Sequence, residues 1–221
     1  MALSLFILVF PGCDASEDPA DPMYYRDAAI PRQDLGPMQR PDMRAFVPAA
    51  QISVATFNVR KFFDTNCDTR NCSGNSFEVM LTEAEFAAKA EQVANGIRVL
   101  DADVVLLQEI ETEACLAALA SFLVDDGYSA TILGETGGSA SLDVAVIAKG
   151  DIIGRRSHKD EEIPLPNRGS TTFSRDLLEV YLTVNGHRVI VFSAHFKAKT
   201  RDDPERRLAE AMASREIALE V

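Results

Sequence analysis

The sequence predicts an α/β domain beginning near residue 51, a mixed β-sheet with helices packed outside it. Three observations carry this. The domain opens strand–helix–strand, over residues 52–57, 82–100 and 103–107. It then turns to neighbouring strands, the last two joined by Asn185-Gly186, the strongest short hairpin signal. The 221 residues are 47% hydrophobic and 25% charged, which suffices for one sizeable buried core and excludes a disordered acidic tail or a polytopic membrane chain.

Ahead of that domain, residues 2–10 are an apolar or small run ending in Leu8-Val9-Phe10. The run is too short to span a bilayer and matches the apolar part of an export signal. Gly12-Cys13 then resembles the cleavage site of bacterial lipoproteins. Residues 1–13 are therefore read as a lipoprotein signal with Cys13 the lipidated residue, in preference to an ordinary signal peptide. Residues 14–50 change character, because seven of the chain's ten prolines fall between Pro11 and Pro48. Mixed with Asp, Arg and Ala, they make a solvated, extended linker with too little apolar surface to fold. The expectation is an extracytoplasmic bacterial protein, lipid-anchored or secreted, that meets a membrane through its anchor alone.

Within residues 51–221 the elements follow in order. Residues 52–57 alternate as a strand does. A polar loop with Cys67, Cys72 and Gly74 comes next, and then Thr82-Glu83-Ala84-Glu85 forms a capping box. Phe86, Ala90, Val93, Ile97 and Leu100 recur at steps of four and three, one apolar helix stripe. Val104-Val105-Leu106-Leu107 is continuously apolar and reads as a buried strand. A second helix carries Leu116, Leu119, Ala120 and Leu123. Strands are expected at 128–133, 143–148 and 152–156, then the hairpin 177–184 and 187–194. Asp202-Asp203-Pro204 caps a final helix, with proline in its first turn.

The charge balance constrains the chemistry. Twenty-two Lys and Arg against 34 Asp and Glu leave a net charge of −12, so no general basic surface holds a polyanion. A phosphate ester would need metal ions and a few local cations. Asn58 and Glu109 each follow a predicted strand, and one helix joins the two strands. A right-handed crossover makes such strands parallel and puts their carboxyl ends on one sheet edge, where open α/β folds bind ligands. A carboxylate with an amide oxygen is a hard site, suited to Mg²⁺, Mn²⁺ or Ca²⁺ rather than zinc.

The segments Thr56-Phe57-Asn58-Val59-Arg60-Lys61-Phe62 and Asp103-Val104-Val105-Leu106-Leu107-Gln108-Glu109 resemble two signatures of the endonuclease/exonuclease/phosphatase superfamily, the first closest to its deoxyribonuclease-I-like branch. That resemblance implies a four-layer sandwich of two mixed β-sheets flanked by helices, incomplete at its C-terminus. It implies that Glu109 is the main metal carboxylate and a catalytic residue. Asn58 assists the metal or the phosphate, and Arg60 touches substrate phosphate.

Phe192-Ser193-Ala194-His195-Phe196-Lys197 resembles the superfamily's strand-then-histidine segment. The hairpin supports a shared site independently. A two-residue turn pairs Val184 with His187, and the ladder then carries Asp176 opposite His195 with Arg175 next along. Arg175 and His195 are the expected phosphate ligands, supplying cations where charge builds in the transition state, with His195 also catalytic. Asp176 is the candidate for orienting the imidazole. Asp143 opens a strand with no assigned role, and His158 and His187 are given none. Cys67 and Cys72, five apart, can form a small disulfide; Cys115 can pair with either or stay a buried thiol.

Family members continue with a Gly-Asp-x-Asn segment and end with Ser-Asp-His, and neither is present in this sequence. The expectation is an N-terminal fragment that is inactive alone. The parent function expected is a Mg²⁺-dependent phosphodiesterase, a nuclease acting on nucleic acid, with no protein partner. A sphingomyelinase-like lipid phosphodiesterase, an inositol or sugar phosphatase, and a non-catalytic tethered module are the alternatives.

Overall fold

The computed structural model describes residues 51–199 and 203–221. The signal at 1–13, its Cys13 and the linker at 14–50 lie outside the described residues.

The first sheet is built by β1 (Val54–Phe62), β2 (Val104–Ile110), β3 (Ala130–Gly134) and β4 (Asp143–Ala148), in the order β1-β2-β4-β3. β1 and β2 run parallel in register from Val54↔Val104 to Asn58↔Gln108, and β4 is antiparallel to both β2 and β3. A clamp starts the parallel pair. Asp103 Oδ2 accepts from the backbone N–H and the hydroxyl of Ser53, each at 2.8 Å, and Ser53 Oγ accepts the Asp103 N–H at 2.9 Å.

The crossover helix α1 (Glu83–Leu100) starts at Thr82, whose side chain accepts the Glu85 N–H while the Glu85 carboxylate accepts the Thr82 N–H. This is the expected capping box, worth about 1 kcal/mol. Its buried face is Ala90, Val93, Ala94 and Ile97; Leu100, expected in the stripe, sits in the last turn and is exposed. α2 (Glu113–Ser121) packs beside α1, and both cover one face of the first sheet around Phe62, Val105, Leu107 and Ile147.

The second sheet is β5 (Asp151–Ser157), β8 (Leu178–Val184) and β9 (His187–Ser193), in the order β5-β8-β9. Asn185 and Gly186 turn the hairpin at φ +50° and +78°, the two positive values a type I′ turn needs. The ladder runs from Val184↔His187 to Leu178↔Ser193, the register expected from the turn. β6 (Ile163–Pro164) and β7 (Ser170–Thr171) form a small separate pair.

The two sheets face each other. Val104, Leu106, Val144 and Val146 from the first meet Leu178, Val180, Leu182, Val189 and Val191 from the second. Burying each such side chain contributes roughly 1.5–3 kcal/mol. The outer face of the second sheet, with Ile190 and Phe192, is covered by Ala209, Ala213 and Ala218 of α3 (Pro204–Leu219). Asp203 caps that helix and Pro204 enters its first turn. Helices, sheet, sheet and helix are thus the four layers of the expected sandwich. Among the described residues no helix is long and apolar enough to cross a membrane.

Candidate active site

Asn58 and Glu109 do not follow their strands, as expected from sequence; they lie inside β1 and β2, at paired irregularities. The β1–β2 register shifts between Asn58 and Phe62, and the β2–β4 register shifts between Gln108 and Ile110. Arg60, Lys61 and Glu109 take φ values of +60°, +55° and +70°. Left-handed backbone at non-glycine residues costs about 1–3 kcal/mol each and persists only where tertiary contacts over-determine it. Those contacts are present. Lys89 reaches from α1 to donate to the Val59 carbonyl at 2.8 Å and the Arg60 carbonyl at 3.3 Å. The Lys61 N–H donates to Glu109 Oε2 at 2.8 Å. The bulges turn the Glu109 carboxylate to the rim, where its side chain is 19% exposed.

Asn58 braces this carboxylate. Its Nδ2 donates to Glu109 Oε1 at 2.9 Å, while its Oδ1 accepts the Arg60 N–H at 2.9 Å. This corrects the expected pair of oxygen donors: the amide nitrogen, not the oxygen, faces Glu109, because the bulged Arg60 N–H claims the oxygen. Arg60 itself is exposed on the bulge.

His195, just past β9, comes to the same edge from the second sheet. Its Nε2 lies 3.9 Å from Glu109 Oε1, and its side chain is 14% exposed. Burial first, and the Arg175 charge second, push its pKa down to about 4, against the pull of Glu109. At neutral pH the imidazole is uncharged, so His195 is a hydrogen-bond donor rather than the cation expected from sequence. Arg175 donates through Nε to the Leu142 carbonyl at 3.4 Å, and its charge acts on His195.

Asp176 does not orient His195. Its Oδ1 accepts the His158 N–H at 2.9 Å, and it lies beyond the last ladder pair, Leu178↔Ser193. Burial holds its carboxyl above the ordinary value. His195 Nδ1 is buried and has no hydrogen-bond partner among the described residues. Asp143, also buried, accepts from the Thr136 and Ser141 hydroxyls at 2.6 and 2.7 Å, which makes it an anchor for the loop at 135–141.

Three features carried no signal in the sequence. Glu210, fully buried on α3, accepts from the Ser174 N–H and hydroxyl at 2.8 and 2.6 Å and from the Lys197 N–H at 2.7 Å. It therefore ties the two segments that carry Arg175 and His195. His158 is completely buried, with Nδ1 2.5 Å from Glu161 and Nε2 2.7 Å from Glu179. Glu111, two residues past Glu109, is buried, and its pKa is pushed up to about 7 by burial and by Asp64, Glu78 and Asp68.

The cysteines separate cleanly. Cys67 and Cys72 are disulfide-bonded, while Cys115 is a free, buried thiol donating to the Phe62 carbonyl at 3.4 Å.

The donor set at the rim suits a magnesium-class ion. Each Glu109 oxygen accepts one N–H, which leaves it further acceptor capacity, and Mg²⁺ is commonly held by one or two carboxylates plus water and phosphate oxygens.

No protein-family profile and no curated protein matches the sequence. Solved structures do. TDP2 from Caenorhabditis elegans aligns at 18% identity over 63% of this chain and 40% of that one, with a TM-score of 0.43. TDP2 from D. rerio, in complex with a single-strand DNA product, aligns at 17% identity over 76% of this chain and 55% of that one, with a TM-score of 0.46. An endonuclease/exonuclease/phosphatase family protein from Leptotrichia buccalis C-1013-b aligns at 17% identity over 74% of this chain and 63% of that one, with a TM-score of 0.40. The chain spans 40% to 63% of the length of these structures. Likeness at this level carries no residue role and no substrate from one protein to another.

Proposed function

We propose that this chain carries the metal- and phosphate-binding edge of a metal-dependent phosphodiesterase of the endonuclease/exonuclease/phosphatase superfamily, a nuclease working outside the cytoplasm. The observation that carries the reading is the convergence of Glu109 and His195, from different sheets, to 3.9 Å at one rim. Arg175 stands beside them, and Asn58 fixes the carboxylate.

Glu109 would hold the divalent ion, which when bound supplies charge to polarise the scissile phosphate. The protein's own groups do the rest. Asn58 Nδ2 and the Lys61 N–H fix both carboxylate oxygens, so Glu109 is preorganised rather than mobile. Arg175 offers a planar cation for phosphate oxygens. His195, neutral at the start, donates one N–H, and an arriving phosphate raises its affinity for a proton. A site of this kind supplies local positive charge to a polyanion in a chain whose net charge is −12. The apolar run at residues 2–10 followed by Gly12-Cys13 supports the extracytoplasmic part of this reading.

The test uses a fluorescent single-stranded oligonucleotide and choline-phospholipid vesicles, each with and without Mg²⁺. Binding to the oligonucleotide that needs Mg²⁺ and is lost with Glu109→Gln is the expected result. Preference for the vesicles would move the substrate to lipid, and binding unchanged by Glu109→Gln would remove the site.

A further inference from the structure

Around Glu111, two residues past Glu109, the chain builds a second cluster that the proposed reaction does not use. We propose that Glu111, Glu78 and Asp68 form a separate site for a hard divalent cation of the calcium class, which pins the disulfide-closed loop after β1 to the end of β2. The inference goes beyond the proposed function and does not rest on it.

Each of the three residues offers one carboxylate oxygen, and these oxygens lie within 4.8 Å of one another. The decisive atom is Glu111 Oε1. Glu111 is only 2% exposed; its Oε2 accepts the Asp64 N–H at 2.7 Å, but Oε1 is buried with no hydrogen-bond partner among the described residues. A buried carboxylate oxygen without a partner is among the costliest groups a fold can carry. A cation between Glu111, Glu78 and Asp68 supplies that partner.

The neighbours are arranged for it. Glu78, also buried, accepts the Asp68 N–H at 2.6 Å and the Thr69 N–H at 2.8 Å, as well as the Thr69 hydroxyl. Those bonds fix its orientation and hold Asp68 against it. A carboxylate has about four acceptor positions, and with three of them taken Oε1 still keeps one. Among the described residues, no Lys, Arg or His forms an ion pair with Glu111, Glu78, Asp68 or the buried Asp64 beside them. An open polar cleft of about 260 Å³, lined by Asp68, Glu111, Thr112, Glu135 and Ser141, gives an ion a way in.

The donor chemistry selects the ion. All donors are carboxylate oxygens, and Cys67 and Cys72 are joined to each other, so no thiolate is on offer for a softer metal. The donors come from an irregular loop and a strand end, and calcium accepts such uneven shells of six to eight oxygens where magnesium demands a near-octahedral one.

The test is calorimetry and thermal melting with CaCl₂ on the full chain carrying Glu109→Gln, which removes the rim carboxylate. One calcium ion is expected to bind and to raise the melting temperature. Glu111→Gln in that background should abolish binding. Asp68→Asn, an exposed side chain whose loss does not threaten the fold, should weaken it about tenfold or more. Calcium binding present in the wild type but absent with Glu109→Gln would overturn the second site while leaving the rim reading in place. Affinity unchanged by Asp68→Asn, or a larger shift with MgCl₂ than with CaCl₂ at equal concentration, would overturn it as well.

Discussion

Ser193 Oγ donates to the Leu107 carbonyl at 3.4 Å across the interface between the two sheets. The bond lies two residues short of His195 on one chain segment and two residues short of Glu109 on the other. It is a buried polar tie in an interface made mostly of apolar contacts, and apolar contacts tolerate sliding far better than a hydrogen bond does. It sets the level at which the two rim residues meet.

Ser193→Ala is therefore expected to lower stability by about 1 kcal/mol, the usual net worth of one buried hydrogen bond. Urea denaturation checks the magnitude. Magnesium-dependent oligonucleotide binding should weaken in the same variant, whereas a purely structural role would leave it untouched in the folded fraction.

Glu210 should be harder to lose. Glu210→Ala removes the acceptor for the Ser174 N–H, the Lys197 N–H and the Arg206 guanidinium, which approaches at 3.3 Å. Breaking a buried charged network from one side costs about 3–5 kcal/mol. Glu210→Gln keeps one acceptor oxygen and is expected to fall between alanine and wild type in the same urea titration.

The imidazole of His195 gives a pH signature in EDTA. Its pKa falls from an ordinary 6.5 to about 4 in the folded chain. Between those values the unfolded chain binds the extra proton, so stability rises with pH. The contribution is complete above about pH 6.5, is lost as pH falls through 4, and amounts to about 3 kcal/mol at most. His195→Gln should flatten the acid limb of the stability profile. An unchanged slope in the variant would show that the imidazole is not held neutral by its surroundings.

Much of this layout was legible in the sequence because it is local. The capping box at Thr82, the Asn185-Gly186 turn and the apolar run before Glu109 each declare themselves within a few residues. The hairpin register then followed by counting. What the sequence hid are the contacts between distant segments. Nothing near Asn58 says that Lys89, 30 residues past Val59, will hold a bulge open and so place the amide nitrogen against Glu109. The counted register stops at Leu178↔Ser193, so Asp176 is not paired with His195, and its carboxylate accepts the His158 N–H instead. Nothing in the sequence marks Glu210 and Glu111 as buried, since burial of a charge depends on partners the local pattern does not name.

Thiol reactivity separates the cysteines. Burial pushes the Cys115 thiol up to about 11, so it should resist alkylation in the native state. The Cys67–Cys72 bridge closes a short loop, and reducing it is expected to cost about 2 kcal/mol. Mass spectrometry after iodoacetamide should show, among Cys67, Cys72 and Cys115, no native modification without reductant, two sites with it, and three after unfolding.

The most direct test of the account is paramagnetic. The chain has three histidines, and His187 begins β9 while His195 lies just past its end, eight residues on and roughly 27 Å away at about 3.4 Å per extended residue. In a chain carrying Glu111→Gln, substoichiometric Mn²⁺ is expected to broaden the imidazole resonances of His195 before those of His187, and Glu109→Gln should remove the effect. Equal broadening of both rings, or broadening of His195 that survives Glu109→Gln, would contradict a cation held at the rim by Glu109.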